Sequence, residues 1–213
     1  MKLGDIKLEA LKLMFTNYNE DIGIEQLQNL LGDEMYGNYL IAMTGSINRC
    51  FADLETRGVL PIKTFILPGG TLDEKGRSLK FNLKELILDF LTLERLVYET
   101  NSCKYDDEDI AFRTAGDSLL LPWFDGSTET YTVIYRPRIQ RIFPYTSDET
   151  ELDIPDYIAE FIPYWIKGEL FRDDEPNEAG EARNWYESHM RQAEGHISRR
   201  EGKVRTIYSQ TEV

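Results

Sequence analysis

Few side chains in this sequence could do chemistry, and they lie far apart. Its two histidines are His189 and His196. An imidazole that acts as a base or ligand needs a hydroxyl, thiol or metal held against it. The sequence places no Ser or Cys to be activated, so both histidines read as surface residues. The two cysteines, Cys50 and Cys103, have no CxxC or Cys/His spacing, which fits reduced thiols in a cytosolic protein and supports neither zinc nor a disulfide framework. The densest acidic cluster is Asp106-Asp107-Glu108-Asp109, and carboxylate oxygens are what magnesium and calcium prefer. It lacks the glycine and the distal glutamate of an EF-hand loop. The cluster reads as a solvated loop between strands; the alternative is a magnesium-dependent enzyme using Asp106, Asp107 and Asp109. Gly69, Gly70 and Gly76 are followed by no Gly-Lys-Ser/Thr, so they read as turn residues rather than a phosphate loop. The residues thus point to a non-enzymatic protein with no cofactor and no metal.

The bulk properties are those of a globular protein. The 213 residues are 41% hydrophobic and 12% aromatic, enough for a real core, and carry a net charge of -14. That field repels a phosphate backbone, which makes free DNA a poor default partner. Charge interleaves with apolar residues from Met1 to Ala10, and no run approaches the length that spans a bilayer. The expectation is a chain made in the cytoplasm that binds no membrane.

Hydrophobic spacing divides the chain into four parts. Residues 1–60 read as helical: Ile6, Leu8, Leu11, Leu13 and Met14 open the chain, Ile24, Leu27, Leu30 and Leu31 follow, and a longer helix begins near Glu34. Its stripe Tyr36, Tyr39, Leu40, Met43, Ile47, Cys50, Phe51 and Leu54 recurs at steps of three and four, as one face of a helix does. Gly58 and Pro61 supply a stop. Residues 61–150 change to short β-branched and aromatic runs, including 64–67, 86–98 and 131–135, separated by turn signals; Ile110 to Leu121 predicts a hairpin turning at Gly116-Asp117. This part is expected to be a small antiparallel β-domain inserted between helices.

Residues 151–194 predict a helical hairpin packing with the N-terminal helices. Asp153 is the expected N-cap with Pro155 in the first turn, Pro163 is expected to kink the first helix, and Asp173 to Asn177 form the connection. Trp165, Trp185 and Tyr186 are either core packing between the paired helices or an aromatic partner surface. Residues 195–213 are expected to be an extended tail, because Lys203 to Tyr208 alternates charged and apolar residues like a strand that buries one face. Such a strand would pair with a sheet edge of a partner; the alternative is a frayed chain end. Charge is polarised: 148–181 carries twelve carboxylates against Lys167 and Arg172, whereas 191–205 has five bases against Glu194 and Glu201. The fold class is α+β.

The segment Asp153-Ile154-Pro155-Asp156-Tyr157-Ile158-Ala159, then Ile162-Pro163-Tyr164-Trp165-Ile166-Lys167-Gly168-Glu169-Leu170, resembles the penultimate helix of phage head-to-tail connector proteins. The turn Asp174-Glu175-Pro176 and the following Ala179 and Ala182 to Glu187 resemble the rest of that unit, and the helix carrying Ser46 to Phe51 is similar to that of adaptor subunits. The resemblance implies a structural virion protein of the neck, assembled in the host cytoplasm as a ring, typically dodecameric. Its partners would be the portal protein, neighbouring copies of itself, a downstream neck or tail protein, and DNA that passes without specific binding. It also implies that Arg199, Arg200, Lys203, Val204, Arg205, Thr206, Ile207 and Tyr208 form the portal-binding tail. Asp173, Asp174, Glu175 and Glu178 would then be the acids lining a channel, which lets DNA slide without sticking. A neck stopper or tail-completion protein is the neighbouring alternative, and an acidic adaptor for host proteins is a third.

Overall fold

The computed structural model describes residues 1–15, 23–68, 71–72, 78–99, 104–106, 112–122 and 130–208, with the backbone alone for 71–72, 78, 104–106, 115, 122 and 198–208. The chain is α+β and divides into two compact units, one formed by Met1–Val59 with Ile139–Val213 and the other by Leu60–Arg138.

The first unit opens with α1 (Leu3–Met14), which buries Leu3, Ile6, Ala10, Leu11 and Met14 at helical spacing. Its first turn is closed by the Lys2 N–H donating to Asp5 at 3.0 Å. A 3-10 turn (Ile24–Gln26) leads into the short α2 (Leu27–Leu30). The long α3 spans Gly37–Arg57, starting three residues after the expected Glu34. Asp33 Oδ1 accepts from the backbone of Met35 and Tyr36, and that turn holds residues 34–36 out of the helix. The stripe Leu40, Met43, Ile47, Cys50, Phe51 and Leu54 is buried. Gly58 ends the helix in the left-handed region at φ 63°, a conformation that costs a Cβ-bearing residue. We expect Gly58→Ala to destabilise this unit by about 1 kcal/mol, read as a shifted denaturant midpoint with an unchanged slope.

The second unit is built from β1 (Lys63–Ile66), β2 (Thr71–Leu72), β3 (Ser78–Asn82), α4 (Leu83–Leu86), β4 (Phe90–Glu99), β5 (Lys104–Asp106), β6 (Arg113–Ala115), β7 (Ser118–Pro122) and β8 (Thr130–Pro137). The strands form two antiparallel sheets, ordered β1-β8-β4-β5 and β2-β3-β7-β6. Their shared core holds Phe81, Leu96, Leu119, Leu121, Tyr131 and Val133. The hairpin at Gly116-Asp117 joins β6 to β7 with Ala115 opposite Ser118, and Gly116 takes the positive φ of 59° that a two-residue turn requires. The run 86–98 is not a single strand: α4 ends at Leu86 and β4 begins at Phe90. Between them Asp89 accepts from Lys63 Nζ at 2.9 Å and Tyr135 Oη at 2.8 Å. Burial opposes the charge, but these donors outweigh it and hold the carboxyl below its ordinary range.

The β unit ends at Arg138 rather than at 150. Residues 139–150 belong with the helices because α3 holds their backbone. The Asn48 side chain donates to Ile142 O at 2.8 Å and accepts from Ile142 N at 3.0 Å, and Glu55 accepts from Ile139 N and Arg141. The chain then passes α1, where Asp148 O and Thr150 O take the N–H groups of Gly4 and Leu3. Two short helices start differently from the expectation. Pro155, not Asp153, stands at the N-cap of α5 (Asp156–Ala159), its carbonyl receiving Ile158 N and Ala159 N. Pro163 does not kink a helix, since it is the second residue of a new one, α6 (Ile162–Leu170). A first-turn nitrogen has no carbonyl to bond, so proline is tolerated there.

The last helix, α7, runs from Pro176 to Tyr208, so residues 195–208 are helical rather than an extended tail. Val204, Ile207 and Tyr208 stand at i, i+3 and i+4, which is helix spacing as much as alternation, and no proline interrupts the run. The crossing of α6 and α7 is close at Gly168, where a Cβ would lie 3.2 Å from Ala179 O and 3.3 Å from Arg183 N. Among the described residues no helix is long and apolar enough to cross a membrane.

Candidate functional site

The closing hairpin of α6 and α7 carries an acidic turn, an exposed aromatic pile and a polar network that ties α7 to α3. At its turn the four expected acids come together, all exposed. Asp174 accepts from Tyr39 Oη at 3.0 Å and Glu178 pairs with Lys167 at 2.6 Å. Tyr39 is held protonated to higher pH than usual, first by burial and then by that bond. It joins Phe15 and Phe171 in edge-on contacts with centroids 5.2 to 5.9 Å apart. The turn is thus an acidic rim on an aromatic base. Of the expected tail, Arg199 to Tyr208, the side chains lie outside the described residues, as does the acidic run at 106–109 apart from the backbone of Asp106.

Across from the turn, α3 and α7 are bound by a polar network that the sequence did not announce. Tyr186, fully buried, donates from its hydroxyl to Asp53 Oδ2 at 2.8 Å, and the same oxygen receives Arg57 Nε at 2.6 Å. Arg57 also forks to Glu187 at 2.8 and 2.9 Å and reaches Glu194 at 3.2 Å. Burial works against the guanidinium charge, but its carboxylate bonds outweigh that and raise its pKa. The only local hint was the i,i+4 spacing of Asp53 and Arg57, which is common on solvated helix faces.

The Cys50 thiol donates to Tyr186 Oη at 3.7 Å, and burial pushes its pKa up to about 12. Burial likewise raises the Tyr186 hydroxyl. A thiol kept protonated is no nucleophile, so this arrangement coheres rather than reacts. The raised folded values make these protons part of stability. The contribution of Cys50 is whole below the unfolded thiol's pKa of about 8.5 and is lost as pH rises toward 12. We expect denaturant midpoints to fall above about pH 9, and Cys50→Ala to flatten that alkaline slope. A slope unchanged in Cys50→Ala contradicts the assignment.

Of the three aromatic residues singled out by spacing, Trp165 and Tyr186 are core, packed edge-on with centroids 5.1 Å apart. Arg183 covers the Trp165 ring at 4.5 Å. Trp185 points the other way and is 58% exposed. It stacks on His189 at 5.6 Å, and His189 stacks on Phe161 at 3.9 Å. His189 also bonds the Trp185 carbonyl through Nδ1 at 2.8 Å, so it is a fixed member of an aromatic pile and not an isolated surface residue. His196 is exposed. Among the described residues no group of three or more His, Cys, Asp or Glu could hold a metal ion. No model of a known protein family matches the sequence, and no curated protein matches it.

Proposed function

We propose that this chain is a structural virion protein, the head-to-tail adaptor of a tailed phage. In this reading identical copies form a ring between the portal and the neck or tail protein and leave a channel for DNA. The N-terminal helices and the closing hairpin make the body of each subunit, and the β unit is an insertion in it. The observation that carries the reading is the closing hairpin itself. Its acidic turn gathers Asp173, Asp174, Glu175 and Glu178, and its second helix continues about four turns past Ala193, the last buried position described on it. A helix gains most of its stability from packing an apolar face, so a helix of this length is suited to meeting a partner. The basic residues from Arg199 to Arg205 give that partner an electrostatic handle. Carboxylates at the turn suit a DNA channel, because affinity for a phosphate backbone comes from cations.

The test is co-purification with the portal protein, comparing the full chain with one truncated after Ser198. The expected result is retention of the full chain and at least about a tenfold loss for the truncated one. Equal retention removes the end of α7 as the anchor. Absence of binding by the full chain removes the adaptor reading.

A further inference from the structure

We draw no further inference here: the strongest candidate, the exposed aromatic pile in which Trp185 and His189 of α7 stack with Phe161 from the turn ahead of α6, carries nothing because nothing in the structure shows what covers it.

Discussion

Replacing Tyr186 by alanine is expected to destabilise the helical unit by about 4 kcal/mol, the range for emptying a buried aromatic site. The ring is fully buried between α3 and α7 and packs edge-on against Trp165, so its loss opens a cavity where two helices meet. The hydroxyl contributes separately. Without it Asp53 keeps Arg57 but loses one of two donors on Oδ2. Tyr186→Phe should therefore cost only about 1 kcal/mol. The check is urea unfolding of the three proteins followed by far-ultraviolet dichroism. A phenylalanine variant as unstable as the alanine one would show that the hydrogen bond, not the packing, dominates.

Arg57→Met is expected to cost about 3 kcal/mol, in the manner of a partly buried ion pair that loses one member. The methionine keeps most of the apolar stem, so the change isolates the charge. Asp53, Glu187 and Glu194 then face one another with no cation between them. Added salt should narrow the gap from wild type, since screening weakens their repulsion. Arg57→Lys should lose part of the same stability, because one ammonium cannot fork to Glu187 and hold Asp53 at once. A methionine variant within 0.5 kcal/mol of wild type would mean that the network is a surface ornament of no energetic weight.

The elements that could be read from the sequence are those set by local rules. The apolar stripe of α3, its glycine stop and the Gly116-Asp117 hairpin each follow from a periodicity or a backbone preference within a few residues. What escaped is set by distance or by competing rules. Sheet order pairs β1 with β8 across some seventy residues, and nothing local specifies it. Arg57 finds Glu187 130 positions away, so only its i,i+4 link to Asp53 has a local signal. Pro163 satisfies both a kinked helix and a new helix start, and the break at Glu160 and Phe161 decides for the second. The end of α7 carries a pattern that fits two periods, and an unbroken helix from Pro176 chose the helical one. Within the candidate site, the turn acids were legible because three are consecutive and Glu178 follows within a turn. The pile of Phe161, Trp185 and His189 was not, because Phe161 joins the two α7 residues from the turn ahead of α6.

The claim on which everything functional depends is that the chain's work is joining neighbours in a particle. Quantitative mass spectrometry of purified virions and of neck intermediates, from a phage whose genome carries this sequence if the proposal holds, tests this most directly. The expected result is the chain present in both, in a fixed ratio to the portal protein. Its absence from every such particle, or a purified chain that turns over a substrate, contradicts the claim.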